Sequence, residues 1–455
     1  MTAANTNTLR PFNKAERINS VDIIRGIALF GILLMNIIGM GLYRAYYDPT
    51  NSGGATGWDL RVWWMNTMFF EGTMRGLFSI LFGAGVVLFT SRQANNTNAV
   101  SVTDAYFRRL TWLLLFGVIH AYLLLWQGDI LYAYALVGLL AFSFRNWTPK
   151  HLILGAIFLC LISTVLNVKD YVQLKNFSET SIAAKARTSD EKLWTKDEKK
   201  AITQWEDEVA AKKATKEGFS DETAALNKGY WSIVLHKAPR NQFMETTYMY
   251  RWFFWDVFAM MLLGMALLKN GILKAAKSKW YYLIMVLTGY SIGLTTNYFE
   301  GSYQVDHQFA ILPFYLTEIT HELGRVPTTI GHIGLIMLFI KSDILPFLQR
   351  SLAAVGKMAF TNYIMHSVIC NIIFLGYGFG MYGKLHRHEM YYIVFSIWIF
   401  QLIVSPIWLK YFRFGPLEWV WRSLTYWERQ PMKRADTHQI SINSKSKESE
   451  QMMVP

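Results

Sequence analysis

His120 lies deep in the apolar run RRLTWLLLFGVIHAYLLLW, and Asp129 follows it across the short turn WQGD. A histidine in such a place must be hydrogen-bonded or functional, and an imidazole suits general-base work near neutral pH. Asp129 is read either as the carboxylate that orients this ring or as the N-cap of the next helix. The first apolar run, SVDIIRGIALFGILLMN, carries Asp22, Arg25 and Asn36. On a helix Arg25 and Asn36 fall within about 20° of one stripe, separated by about 16 Å of rise. Asp22 sits one turn from Arg25 on the same side. Polar groups on one face of a span look into the bundle or a cavity, because facing lipid costs several kcal/mol. The plainer reading is an Asp–Arg clamp that locks helices together.

The run FFEGTMRGLFSILFGAG places Glu71, Arg75 and Ser79 at i, i+4 and i+8, an ion-pair spacing on one helix face. Its glycines allow close helix approach and lack the lysine of a phosphate loop. His366, in TNYIMHSVIC, has Asn362 one turn before it and reads as a helix bridge or a ligand contact. Glu318, His321, Glu322 and Arg325 gather in YLTEITHELGRVP, but no third ligand is evident, so no metal is expected. No HExxH motif occurs.

These residues need membrane helices to hold them. Of the 455 residues, 52% are hydrophobic and 17% are charged. Apolar runs of about 20 residues alternate with charged connectors, which fits an all-α, polytopic bundle rather than two or three soluble domains. Ten spans are expected, near 21–41, 66–91, 108–126, 129–145, 151–168, 251–269, 280–297, 326–341, 355–376 and 390–409. Lys and Arg concentrate in one alternate set of connectors, which predicts that both termini are cytoplasmic. The net charge of +13 is thereby a topology signal and not a nucleic-acid footprint. The first run lacks a cleavage site, so no removable signal peptide is expected. Cys160 and Cys370 fall inside spans and read as packing residues.

The chain divides into an N-tail (1–20), a five-span half (21–168), a charged extracytoplasmic loop (169–250), a second five-span half (251–409) and a C-tail (410–455). The loop reads as a solvated helical hairpin, and the tail as disordered after about 430.

SVDIIRGIALFGILLMN, FSILFGAGVVL, RRLTWLLLFGVIHAYLLLWQGDILYAYALVGLL, GKMAFTNYIMHSVI and GPLEWVWRSLTYW together resemble the YeiB-like family, also called domain of unknown function 418. The resemblance covers about 20–145 and 240–427. It implies a place in a wider transmembrane acyltransferase superfamily, beside the lysosomal heparan-glucosaminide acetyltransferase and the acyltransferase-3 proteins. Those enzymes move acyl groups from cytoplasmic acyl-CoA to an acceptor, usually a sugar, on the far side. The acyltransferase-3 proteins carry Arg, ten residues, then His. Arg25 matches that arginine, whereas Asn36 stands where the histidine would be, as it does in the heparan enzyme.

Under this resemblance Arg25, with help from Asp22, would meet a CoA phosphate and Asn36 would hydrogen-bond the thioester carbonyl. His120, oriented by Asp129, would take the acceptor's proton. Glu71, Arg75 and His366 would complete the substrate cavity. The implied setting is the bacterial inner membrane, with acyl-CoA as co-substrate and a glycan or lipid-linked acceptor. The same polar stripe could instead line the path of a transporter or flippase.

Overall fold

The computed structural model describes residues 18–50, 52–91 and 99–434. The N-tail before Ile18 and the tail after Arg434, including the expected disorder there, lie outside the described residues. Among the described residues the chain is helical, with no strand beyond one antiparallel bridge between Phe412 and Lys433.

In chain order the helices are α1 (Asn19–Gly41), α2 (Gly57–Met65), α3 (Thr73–Thr90), α4 (Ala99–Tyr122), α5 (Leu131–Ala141) and α6 (Pro149–Arg187). Then come α7 (Lys196–Lys212), α8 (Lys216–Leu226), α9 (Tyr230–Phe243), α10 (Phe254–Lys269), α11 (Lys279–Asp306) and α12 (Ile311–Thr317). The last are α13 (His321–Lys341), α14 (Pro346–Lys357), α15 (Ala359–Phe374), α16 (Met390–Tyr411) and α17 (Pro416–Tyr426). Among the described residues six stretches are long and apolar enough to cross a membrane: Asn19–Gly41, Gly57–Thr90, Pro149–Arg187, Tyr230–Lys269, His321–Lys341 and Met390–Tyr411. Leu131–Phe144 and Ala359–Phe374 are shorter apolar helices.

Local chemistry sets several boundaries. Thr148 caps α6 by accepting from His151 N, with Pro149 in the first turn. Thr195 and Glu198 close a capping box on α7. The expected helix over 66–91 is broken, because Gly72 adopts φ 67° between a π-helical turn and α3. The expected span 355–376 divides at Met358 between α14 and α15.

Backbones approach where side chains vanish. A Cβ on Gly83 would lie 2.0 Å from Met261 O, and one on Gly264 would lie 2.0 Å from Ile80 O. α3 and α10 therefore cross in contact, which is how helices associate when lipid is as apolar as their side chains.

α6 has 39 residues, about 58 Å of helix, so it outruns a hydrocarbon core of about 30 Å. Its second half and α7, α8 and α9 form a cap on one end of the bundle. The expected solvated hairpin is instead docked. Ile202, Ala214, Leu226 and Ile233 are buried, and the Phe219 ring meets Tyr43 edge-on at 6.3 Å. We call this the capped end, and the end that holds Ile18 and α17 the terminal end.

Candidate functional site

A cavity of about 240 Å³ opens between α1, α3, α4, α5, α14, α15 and α17. Arg25, Arg109, Lys357 and Arg422 line it, with the carboxylates Asp22 and Glu418. Arg25 Nη1 donates to Asp22 Oδ1 at 3.0 Å, as the spacing in α1 predicts. Arg109 lies 3.8 Å from the centre of the Trp421 ring. Glu418 is committed to structure: it accepts from Phe360 N at 2.7 Å, Thr361 N at 3.2 Å and Thr361 Oγ1 at 2.6 Å. These bonds cap the start of α15. Cations outnumber the carboxylates around this space, so it suits an anionic guest.

Tyr134, Tyr363 and Leu131 also line the cavity. The Tyr363 ring meets His120 edge-on at 4.9 Å. Behind it stands a buried hydrogen-bonded chain. His120 Nδ1 lies 2.7 Å from Asp129 Oδ1, and His120 Nε2 lies 2.7 Å from Ser367 Oγ. His120 and Ser367 are both 0% exposed. In the tautomer where Nδ1 donates to the Asp129 carboxylate, Nε2 is left to accept from the serine hydroxyl. The other oxygen of Asp129 accepts from Tyr132 N at 2.8 Å at the start of α5, where Ile130 holds the N-cap position.

The turn that carries Asp129 is held by other elements. Leu125 sits at φ 59°, which turns the carbonyls at the end of α4 away from helical partners. Four side chains satisfy them. Asn241 Nδ2 donates to Ala121 O at 2.6 Å and Tyr230 Oη to Leu123 O at 2.6 Å. Asn371 Nδ2 donates to Leu124 O at 2.6 Å, and buried Lys237 Nζ to Leu125 O at 3.1 Å. Three of these donors come from α9, so the cap is wired to the His120–Asp129 turn.

Glu71 and Arg75 do not pair as their spacing predicts, because Gly72 breaks the helix between them. Arg75 Nη2 instead donates to Asp256 Oδ2 at 2.7 Å, and Arg325 Nη1 lies 2.7 Å from Asp256 Oδ1. Arg325 also pairs with Glu322. Tyr134 links this network to the cavity: its hydroxyl meets Ser79 Oγ at 2.8 Å and Arg75 O at 3.3 Å.

The remaining residues are dispersed. Asn36 is half-buried on α1 and outside the cavity lining. His366 Nε2 meets Gln401 Oε1 at 3.2 Å, bridging α15 to α16. Among the described residues no group of three or more His, Cys, Asp or Glu side chains is placed to hold a metal. Ser367, Asp256 and the cations Arg109, Lys357 and Arg422 were not singled out in the sequence. Ser367, Asp256 and Arg109 find their partners on other helices, and no spacing within one helix announces them.

A protein of unknown function family model, DUF418, matches residues 267–428. The chain is 31% identical to the uncharacterised protein YeiB of Escherichia coli, over 90% of this chain and 96% of that protein. It is 29% identical to the uncharacterised protein YxaH of Bacillus subtilis, over 94% of this chain and 99% of that one. An uncharacterised 39.9 kDa protein of Bacillus acidopullulyticus is 26% identical over 94% of the chain. No solved structure matches.

Proposed function

The chain belongs to the DUF418, YeiB-like family, and from that premise we propose that it is a membrane acyltransferase. It moves an acyl group from cytoplasmic acyl-CoA to an extracytoplasmic acceptor such as a sugar or envelope glycan. The protein sits in the bacterial inner membrane with ten crossings and both termini cytoplasmic. The terminal end then faces the cytoplasm, where acyl-CoA is found.

One observation carries the reading. A cavity lined by Arg25, Arg109, Lys357 and Arg422 runs to Tyr363, whose ring covers the His120–Asp129 pair. Its volume, about 240 Å³, is below that of most drug-sized pockets. It suits a slender pantetheine arm, with the nucleotide and its phosphates left at the cationic mouth. His120 is the general base, and Asp129 holds its tautomer and steadies the imidazolium that forms. Asn36, on the Arg25 stripe of α1, is the amide proposed to hydrogen-bond the thioester carbonyl. Glu71, Arg75 and His366 belong to the acceptor side of the same path.

The test measures CoA release by purified protein in vesicles supplied with acetyl-CoA and an envelope extract. His120→Ala should abolish release while the fold and acetyl-CoA binding persist. Unchanged release by folded His120→Ala protein would overturn the base assignment.

A further inference from the structure

We propose that Ser367 is a nucleophile that carries the acyl group as a covalent ester between the two half-reactions. The inference rests on the acyltransferase reading and deepens it.

The geometry is the chain Ser367 Oγ, His120 Nε2, His120 Nδ1, Asp129 Oδ1, with both hydrogen bonds at 2.7 Å. Three different places in the sequence supply it: the deep part of α4, the turn before α5, and the middle of α15. A buried serine in a helix usually returns its hydroxyl to the carbonyl one turn back. Ser79, Thr90, Thr328 and Thr329 do so here. The Ser367 hydroxyl meets the imidazole instead. That is the arrangement in which a base can take a serine proton, with the base held in one tautomer by a carboxylate. A helix bridge needs only one of the two bonds.

The position also fits. Ser367 lies one turn after Tyr363 on α15, and Tyr363 lines the cationic cavity while its ring touches His120. Tyr363 is thus the wall between the cavity and the serine. A thioester delivered along the cavity reaches Ser367 when that ring moves aside.

The step balances without any redox partner. Ser367 Oγ attacks the thioester carbonyl carbon, and its proton passes to His120 Nε2. The C–S bond breaks, and the CoA thiolate leaves with that proton. An acceptor hydroxyl then gives its proton to Nε2 while its oxygen attacks the ester carbonyl. The ester bond to Ser367 breaks, and the proton returns to Oγ.

The experiment incubates purified protein with radiolabelled acetyl-CoA, and separately palmitoyl-CoA, without acceptor. The sample is acid-quenched and digested, and the labelled peptide is mapped by mass spectrometry. In parallel, native mass spectrometry scores non-covalent acyl-CoA binding. The expected result is one acyl group on the peptide containing Ser367. Ser367→Ala should lose the label and keep acyl-CoA binding. Ser367→Cys should regain it as a thioester released by neutral hydroxylamine, which a structural serine would not reproduce. His120→Ala should slow labelling roughly 100-fold or more. Acyl-CoA binding with CoA release undiminished in Ser367→Ala would overturn the nucleophile and leave direct transfer by the same site. Absence of acyl-CoA binding by folded parent protein would overturn the acyltransferase reading, and the nucleophile with it.

Discussion

His120 is fully buried, and each ring nitrogen has one partner at 2.7 Å. Asp129→Asn keeps the shape but lets the ring adopt the other tautomer, so turnover should fall roughly 100-fold or more while acyl-CoA affinity holds. Equal losses in turnover and affinity would contradict a role confined to orienting the base. The i, i+3 pair of Asp22 and Arg25 was legible, because one helix fixes both ends of it. The short turn WQGD made the His120–Asp129 pair legible for the same reason. Ser367 was not, since its partner is 247 positions away and only helix packing brings them together. Glu71 and Arg75 misled because the spacing argument assumes a continuous helix, and Gly72 at φ 67° ends it.

Elements hold these side chains through crossings and caps. Gly83→Ala should destabilise the α3–α10 crossing by about 2 kcal/mol, since its Cβ would lie 2.0 Å from Met261 O. Gly85→Ala, where nothing lies within 4 Å, should leave the thermal midpoint in detergent unchanged. Equal effects would contradict the close crossing. Glu418 caps α15, the helix of Tyr363 and Ser367. Burial pushes its carboxyl above the ordinary value of 4.5, against the downward pull of the Thr361 and Phe360 donors. Such a group supports the fold fully below its unfolded value, and that support is lost as pH rises through the raised one. Glu418→Gln removes the titration. Its Tm relative to the parent should therefore climb as pH rises above 4.5, and a constant offset would contradict the buried carboxyl. The cap is the element least legible beforehand. Its mixed charges hid the buried anchors Ile202, Ala214, Leu226 and Ile233, and nothing local told that α9 reaches the turn after His120.

At the scale of the whole molecule, helical class and membrane character were legible because the apolar runs match the thickness of a bilayer. The cavity was not, because four helices, α1, α4, α14 and α17, must assemble before Arg25, Arg109, Lys357 and Arg422 surround one space. The proposed orientation predicts that Lys192→Cys, before α7, reacts with a membrane-impermeant maleimide from outside intact cells. Lys274→Cys, after α10, should react only once the membrane is opened, and the reverse pattern would invert the topology. The central claim is that the cationic cavity takes acyl-CoA. Native mass spectrometry of detergent-purified protein with acetyl-CoA and longer acyl-CoAs tests it most directly, with Arg25→Ala beside the parent. The account predicts a one-to-one complex that weakens about 10-fold or more in Arg25→Ala, the cost of one charge-assisted contact to phosphate. No complex with any chain length, from a folded parent, would contradict it.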